Sequence, residues 1–413
     1  MRIRCNKGRR RAAARKEAWG HNRARPAPLK TSLGKGMAMD FNLSQTHQLL
    51  QSQFRRFAQT EVKPLAHGMD EAETYSMELL KKMQTCGYFG IPYSTQYGGA
   101  GADTLAYCLC VEELSKADAS TGITISVHTS LCCGAINEFG TEAQKEKYLR
   151  PLLGGESIGC FALTEPNAGT DSSGIQTTAD IHVEKDKDAY ILNGAKVFIT
   201  NSGFADTFVV MATTDKVMGT EGISAFIVDA KSAGLTVSAN IPRMGIRAAS
   251  NCEVAFTNVK VPVENRLRGE GDGYAIAMAA LDGGRIGIAA QAVGIAQGAL
   301  NETIAYVKER RQFGKPIAAF QNTKFRIAEL QTKVDAARLL TWRAAMQKDA
   351  KEEYAASAAM CKLYASDVAN EVTRACVQMM GGYGFSREYP VERMMRDAKI
   401  TEIYEGTSEA MKM

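Results

Sequence analysis

Residues 189–201 read AYILNGAKVFITN, a run of aromatic and β-branched residues that is typical of a β-strand. The Asn-Gly pair inside it, at 193–194, predicts a tight turn. No long helical pattern separates this run from the later ones, which excludes parallel crossover units, so the pattern predicts an antiparallel barrel or sandwich. The later runs are DTFVVMATT (206–214), GISAFIVDA (222–230) and NCEVAFTNVKVP (251–262).

Helical patterns lie on both sides of these strands. In SQTHQLLQSQFRRFAQTEV (44–62), apolar residues recur at helical spacing after a predicted N-cap at Ser44, and Pro64 predicts the end of the helix. On the other side, GGRIGIAAQAVGIAQGALNETIAYVKERR (283–311) predicts a long helix, and further helices are expected at 321–348, 352–380 and 388–399.

The order of these patterns predicts the domains of an α+β protein. We expect an α-helical N-terminal domain at 39–158, a middle antiparallel β-domain at 159–271 and a C-terminal helical domain at 272–413. A basic segment at 1–38 precedes them.

The charge of the chain is unevenly distributed. The formal net charge is +5, but residues 1–36 contribute about +11 and the remainder about −6. The basic segment is read as translated sequence ahead of a true start at Met39, as an Arg-rich transit peptide, or as a nucleic-acid-binding tail. The acidic body without a basic stripe argues against nucleic-acid binding.

Ten cysteines and five histidines show no metal-binding spacing, and no C-x-x-C pair is present. Cysteines in apolar runs behave as small core residues, which fits a reducing compartment. No run approaches the roughly 18 apolar residues that a membrane span requires. The sequence therefore predicts a protein without a metal site or a membrane span.

Several polar segments are candidates for ligand contact. Residues 160–174, CFALTEPNAGTDSSG, join a short strand to a hydroxyl- and glycine-rich loop, and KERRQFGKPIAAFQ (308–321) places arginines at a helix end, with Gly314 as a stop. Each also fits an ordinary turn or helix terminus. No Rossmann or P-loop fingerprint is present. Glu405, in IYEGT, is the best candidate for base chemistry because apolar residues and a glycine flank it.

Taken together, these segments resemble the acyl-CoA dehydrogenase family, most closely its short-chain branch, from Met39 to Met413. The motifs, in the family's order and close to its spacing, are FGTEAQKEKYL, LTEPNAGTD, LNGAKVFITN, LDGGRIGIAAQAVGIAQGAL, ERRQFGKPI, FQ, GGYGF, EYPVERMMRDAKI and IYEGT.

The resemblance implies that the middle domain is an antiparallel β-barrel and the C-terminal domain a four-helix bundle. It also implies FAD as cofactor and acyl-CoA as substrate. It implies Glu405 as the base that removes the substrate α-proton, while the hydride passes to the flavin. The implied FAD contacts, those from Arg310, Gln321 and 378–382 coming from a neighbouring subunit, are Phe161, Leu163, Thr164, Thr170, Phe198, Ile199, Thr200, Arg310, Gln321, Gln378, Met379, Met380, Gly381, Gly382, Thr407, Ser408 and Glu409. The implied acyl-CoA contacts are Thr170, Asp282, Gly283, Gly284, Arg285 and Gly406.

It further implies a homotetramer, trans-2-enoyl-CoA as product and an electron-transfer flavoprotein as acceptor. Segment 120–135 is expected to line the acyl pocket. The alternatives are an acyl-CoA oxidase-like enzyme and a non-catalytic acyl-CoA-binding relative. A cytoplasmic bacterial location is expected, or the mitochondrial matrix if the basic segment is a transit peptide. Two departures from the family are a C-terminal helix that is expected to be shortened and Phe198, where several relatives have tryptophan.

Overall fold

The computed structural model describes residues 42–413 without 185 and 186, and it leaves out the side chains of 181–188. The predictions for residues 1–38 and for a start at Met39 lie outside the described residues. Leu43–Met413 form one compact unit, in which helices precede and follow a central sheet.

The first zone is helical, as its apolar periodicity predicts. Ser44 caps the first helix, because its side chain accepts a hydrogen bond from the His47 N–H at 3.2 Å. Wider π-helical turns at Ala58–Val62, Val127–Cys133 and Lys145–Leu149 join some of the helices. The helices are α1 (Gln45–Phe57), α2 (Lys63–Ala72), α3 (Met77–Thr85), α4 (Thr104–Ala117), α5 (Ala119–Ser126), α6 (Gly134–Phe139), α7 (Glu142–Gln144) and α8 (Arg150–Gly154).

The predicted helix end at Pro64 is wrong. Pro64 lies in the first turn of α2, where a backbone N–H would have no acceptor within the helix, so the N–H that proline lacks is not needed. The chain continues as helix to Ala72, and Glu73 ends it in a left-handed conformation with φ +51°.

One sheet forms the middle of the molecule, in the order β6-β7-β3-β2-β4-β5-β8. Most neighbours are antiparallel, as predicted; β1 is an addition that pairs with β4 in parallel. The strands are β1 (Gly159–Ala162), β2 (Thr178–Glu184), β3 (Lys187–Thr200), β4 (Thr207–Thr213), β5 (Ile223–Asp229), β6 (Leu235–Val237), β7 (Asn251–Pro262) and β8 (Arg266–Leu267).

The turn predicted at Asn193–Gly194 is also wrong. Both residues lie within β3, at a register shift between Leu192 and Gly194 that marks a β-bulge. Gly194 has φ +148°, and a Cβ there would collide with Thr177. The Asn193 side chain accepts a hydrogen bond from the Asn258 N–H at 2.8 Å. The pair therefore stabilises the pairing of β3 with β7 and does not form a hairpin turn.

Long helices dominate the last zone, as predicted. The helix at 273–309 is buried along most of its length, including Val293, Ala296 and Leu300. The helices are α9 (Gly273–Glu309), α10 (Gln321–Asp349), α11 (Ala355–Met380), α12 (Gly382–Phe385) and α13 (Val391–Lys399).

The predicted stop at Gly314 needs a correction. Helix α9 ends at Glu309, and the chain then forms a small hairpin of β9 (Arg311–Gln312) and β10 (Lys315–Pro316). Gly314, with φ +75°, lies in the turn of this hairpin.

The two faces of the sheet belong to different apolar cores. Phe161, Leu163 and Val209 join the large core that the helices share, whereas Phe208 and Phe226 belong to a second core within the β-region. Strand β1 lies so close to Val127–Cys133 that a Cβ on Gly159 would collide with the Cys132 side chain. This packing fixes the loop that follows β1 against the helical zone.

One helical segment, Ala119–Phe139, is long and apolar enough to cross a membrane by length and composition alone, although the sequence patterns predicted no membrane span. Because 94% of its apolar window is buried inside the protein, it is explained as a core helix. Across the described residues, the cysteines are free thiols and no group of His, Cys, Asp and Glu could hold a metal ion.

Candidate active site

Glu405 lies in a turn that follows the last helices of the chain. Helix α13 ends at Lys399, a short 3-10 turn covers Ile400–Glu402, and Glu405 then adopts φ +52°. A left-handed conformation is uncommon for a residue other than glycine and marks a strained or functional position. Gly406 follows with φ +102°, which suits glycine.

The Glu405 carboxylate is buried, and neither of its oxygens has a hydrogen-bond partner within the described part of the chain. Burial raises the pKa of this carboxyl from 4.5 to about 8, although the charges of Lys362 and Arg285 oppose the shift. An unpartnered carboxyl with a pKa near working pH has the properties of a general base.

Two cations hold the backbone carbonyl groups of Glu405 and Gly406. The Arg285 Nε donates to the Glu405 carbonyl oxygen at 3.4 Å, and its Nη1 donates to Asp282 Oδ1 at 2.6 Å. The Lys362 Nζ donates to the Gly406 carbonyl oxygen at 2.6 Å. Burial lowers the pKa of Lys362 to about 8.

Helix α9 forms the wall opposite the carboxylate. A Cβ on Gly284 would fall on the Glu405 carboxylate and would lie 2.7 Å from Leu131 Cδ2. One turn further along the helix, a Cβ on Gly287 would collide with the hydroxyls of Tyr107 and Ser126. The two glycines therefore allow α9 to pack closely against Glu405 and the segment that contains Leu131.

The structure brings together most residues predicted to contact acyl-CoA. Asp282, Gly284, Arg285 and Gly406 gather around Glu405, and Gly283 faces the buried Lys348 amine. Thr170 lies apart, exposed on the loop after β1. No hydrogen bond joins it to another predicted site residue among those that the structure describes.

The loop after β1 is held by a buried ion pair. The Lys196 Nζ lies 2.7 Å from Glu165 Oε1 and donates to the Leu163 carbonyl oxygen at 3.0 Å. Glu165 also accepts from the Gln176 and Thr177 N–H groups. Burial would raise the pKa of Glu165, but the charge of Lys196, together with these hydrogen bonds, lowers it. The Thr164 carbonyl accepts from the Val197 N–H at 2.9 Å, so the loop and β3 form one framework.

Phe198 departs from the strand on this framework. Its φ is +60°, at a second register shift between Lys196 and Ile199, and the side chain is 59% exposed. The neighbouring Phe161, Leu163, Ile199 and Thr200 are buried. An exposed aromatic ring beside a loop with Thr164 and Thr170 fits the face of a planar, partly polar group such as a flavin.

Arg310 and Gln378–Gly382 line one surface pocket, together with Tyr306 and Tyr383. The Arg310 guanidinium lies 5.4 Å from the centre of the Tyr383 ring. Gly381 has φ +62°, and a Cβ on Gly381 or Gly382 would meet nothing within 4 Å. An arginine above an open backbone fits a pyrophosphate. The pocket includes none of the loop residues 161–170 and no residue of β3.

The remaining predicted FAD contacts lie near chain turns. Gln321 is the exposed first residue of α10, outside this pocket. Thr407 accepts a hydrogen bond from the Ala410 N–H at 3.2 Å. The Ser408 hydroxyl is buried without a partner among the described residues, and Glu409 is exposed.

Sequence reasoning missed Lys362. Its side chain is fully buried, although lysine inside a helical pattern normally indicates a solvated face. The available signal was its place on an apolar stripe, four residues after the buried Ala358 and three before the buried Ala365.

Comparison with known proteins assigns most of the described residues to three domains of one protein family. Residues 44–156, 160–259 and 271–413 match the N-terminal, middle and C-terminal domains of acyl-CoA dehydrogenases. The short-chain specific acyl-CoA dehydrogenase of Clostridium acetobutylicum is 53% identical over 91% of this chain and 98% of its own length.

Solved structures agree. Butyryl-CoA dehydrogenase from Megasphaera elsdenii is 48% identical, with a TM-score of 0.88 over 91% of this chain and 98% of that one. A chain from a structure described as the electron transferring flavoprotein of Acidaminococcus fermentans, in work on flavin-based electron bifurcation, is 49% identical, with a TM-score of 0.88 over 91% of this chain and 97% of that one.

A further match carries the reduced cofactor. Glutaryl-CoA dehydrogenase from Mycobacterium smegmatis, solved in complex with FADH2, is 32% identical, with a TM-score of 0.84 over 90% of this chain and 93% of that one. These relatives make the protein an FAD-dependent oxidoreductase. The chain belongs to the acyl-CoA dehydrogenase family.

Proposed function

We propose that this protein dehydrogenates short, straight-chain acyl-CoA thioesters to trans-2-enoyl-CoA, with Glu405 as the base that removes the α-proton. The observation that carries the proposal is the buried Glu405 carboxylate, which has no internal hydrogen-bond partner within the described residues and lies against Gly284 of α9. A carboxylate kept in this state has a strong tendency to take up a proton.

The backbone of the same residue supports the second requirement of the reaction. The α-proton of a thioester becomes acidic when donors stabilise the negative charge that grows on the carbonyl oxygen. No backbone acceptor pairs with the Glu405 N–H in the described part of the chain. We assign this N–H to the thioester oxygen, so that Glu405 serves as base through its side chain and as donor through its backbone.

The residues assigned to FAD are those that fit its parts. Phe198, Thr164 and Thr170 would hold the flavin, and Arg310 with Gln378–Gly382 would hold the pyrophosphate and adenosine. Bound FAD supplies the hydride acceptor that no amino-acid side chain provides. Because the Arg310 pocket and the Phe198 framework share no residue, we propose that the pocket serves a neighbouring subunit of a homotetramer.

The proposed preference for short acyl chains rests on the close packing around Gly284 and Gly287, beside Glu405. Tyr107, Ser126 and Leu131 press against Gly284 and Gly287 of α9, which leaves little depth for a long chain. The names of the relatives agree, since short-chain specific and butyryl-CoA dehydrogenases match nearly the full length.

An electron-transfer flavoprotein is the proposed electron acceptor, because a chain 49% identical to this one comes from a structure described under that name. A cytoplasmic location is proposed with it, because the high-identity relatives from Clostridium acetobutylicum and Megasphaera elsdenii are bacterial.

Anaerobic titration of the FAD-loaded protein with butyryl-CoA and octanoyl-CoA tests the proposal. We expect butyryl-CoA to bleach the flavin absorbance quickly and octanoyl-CoA to bleach it slowly or incompletely. Bleaching by neither thioester would indicate a non-catalytic acyl-CoA-binding relative. After bleaching, we expect an electron-transfer flavoprotein to restore the absorbance faster than dissolved oxygen does; the reverse order would indicate an oxidase.

A further inference from the structure

A row of polar side chains on α11 holds the segment that carries Glu405. Lys362, Ser366 and Asn370 follow each other at intervals of four residues, so they lie on one face of the helix. Their side chains donate to the carbonyl oxygens of Gly406 at 2.6 Å, Thr401 at 2.7 Å and Ala398 at 3.0 Å. The row therefore fixes the backbone from the end of α13 to the turn after Glu405.

Lys362 differs from the other two members because it is charged. Its amine is fully buried, and burying an ammonium group is unfavourable unless nearby groups compensate. Neutral Ser366 and Asn370 show that a hydrogen bond to this segment requires no charge. The Glu405 carboxylate contributes the largest compensating charge, which raises the pKa of the lysine against the effect of burial; Glu402 and Asp367 add smaller contributions.

We propose that Lys362 is a positioning residue for proton abstraction, and the proposal rests on the assignment of Glu405 as the base. Its bond to the Gly406 carbonyl holds Glu405 in the left-handed turn that aims the N–H and the carboxylate at one substrate. Its charge, next to that carboxylate, favours the ionised form that accepts the proton.

The charges around this pair come from several elements. Arg285 on α9 faces both groups and adds a second positive charge, partly neutralised by Asp282. Glu402 and Asp367 face Lys362 from the 3-10 turn and from α11 itself. Tyr404 and Tyr107 are the other titratable groups close to the carboxylate, and burial raises the pKa of both. Lys362 and Arg285 are thus the cations that oppose protonation of Glu405.

The test compares Lys362→Met with Asn370→Ala, which removes a bond of the same row at its far end. Flavin reduction by butyryl-CoA is measured anaerobically in the FAD-loaded proteins from about pH 6 to 10. The acid limb of the resulting pH–rate profile is the pH range in which the rate rises as Glu405 loses its proton. In Lys362→Met, we expect this acid limb to move to higher pH by about one unit or more. The limiting rate should fall on the order of tenfold to a hundredfold, because the turn is less well held.

Asn370→Ala should lower the melting temperature without moving the acid limb, since it is neutral and bonds far from Glu405. Lys362→Arg should bring the limb back toward its parental position. An acid limb in Lys362→Met that coincides with the parental limb would overturn the proposal, whatever the change in melting temperature. An equal shift in Asn370→Ala would also overturn it, because the effect would then be purely structural.

Lys362→Gln covers the case in which the methionine variant does not fold. Glutamine keeps a donor for Gly406 but has no charge, so the acid limb of its pH–rate profile should lie at higher pH than that of Lys362→Arg. Acid limbs at the same pH in these two variants would contradict the proposal.

Glu405→Gln, measured in parallel, distinguishes a failure of the proposed function from a failure of this inference. If that variant reduces flavin at the parental rate, the proposed function fails; if it is inactive while the Lys362 limbs do not move, only this inference fails.

Discussion

The Glu405 carboxylate occupies the space that a side chain on Gly284 would need. The two residues are far apart in sequence and belong to different elements, the turn after α13 and the middle of α9. Glycine at 284 is therefore a condition for the carboxylate to lie where it does, beside Leu131 and above the space proposed for the acyl chain.

Gly284→Ala should displace the carboxylate. The added methyl group would overlap the Glu405 side chain, so we expect the rate of flavin reduction by butyryl-CoA to fall on the order of a hundredfold. FAD content should stay at the parental level, because Gly284 is not among the residues assigned to the flavin. Stopped-flow absorbance of the FAD-loaded protein measures the rate.

Gly68→Ala is the matched control for that change. Gly68 also lies inside a helix, and a Cβ there would meet nothing within 4 Å, so alanine should be tolerated or slightly stabilising. A Gly284→Ala protein as fast as Gly68→Ala would show that the carboxylate can work from another position.

The raised pKa of Glu405 predicts how stability depends on pH. The folded protein holds this proton up to about pH 8, whereas the ordinary value is 4.5, so the free energy of unfolding falls as pH rises between these values. Glu405→Gln removes the titration. We expect the variant to be more stable than the parent near pH 8, on the order of a few kcal/mol, with the difference vanishing toward pH 4.5. Chemical denaturation across this range measures it, and a pH-independent difference would argue against the raised pKa.

The sequence predicted the order of helix, sheet and helix because apolar periodicity is a local property. Glu405 is predicted from the composition of IYEGT and from the family's motifs, which are also local in sequence. The Asn193–Gly194 pair misled the prediction, since pairing of β3 with β7 decides whether it forms a turn or a bulge. Lys362 was missed for a similar reason: its partner at Gly406 lies 44 residues away, and only the packing of α11 against the last turn reveals it.

Phe198→Ala should weaken the binding of FAD without unfolding the protein. The ring is 59% exposed, so its removal takes little from the protein core. Loss of a stacked aromatic contact costs about 1 kcal/mol of binding free energy, which corresponds to a roughly fivefold larger dissociation constant for FAD. Fluorescence titration of the FAD-free protein measures it, with Val217→Ala, an exposed residue on the 3-10 turn after β4, as the control. Unchanged affinity would remove Phe198 from the flavin site.

Arg310→Ala should reduce FAD retention and loosen the oligomer together, because a cofactor shared between subunits stabilises only the assembled form. Loss of a charge-assisted bond to pyrophosphate would weaken FAD binding by roughly tenfold to a hundredfold. Arg311→Ala is the neighbouring control, since Arg311 lies in the hairpin and donates to the Gly314 carbonyl oxygen at 3.1 Å. Light scattering measures the mass of the assembly, and the FAD absorbance measures the cofactor content. An Arg310→Ala protein with full FAD occupancy and an unchanged assembly would contradict the assignment.

The central claim is that Glu405 takes the α-proton, and anaerobic bleaching of the flavin by butyryl-CoA in Glu405→Gln tests it most directly. Glutamine keeps the size of the side chain, and the Glu405 N–H is retained, so the variant should hold FAD and bind the thioester. Without a base, flavin reduction should slow by about a hundredfold to ten-thousandfold at every pH. A variant that bleaches its flavin at close to the parental rate would place the base elsewhere and contradict the account.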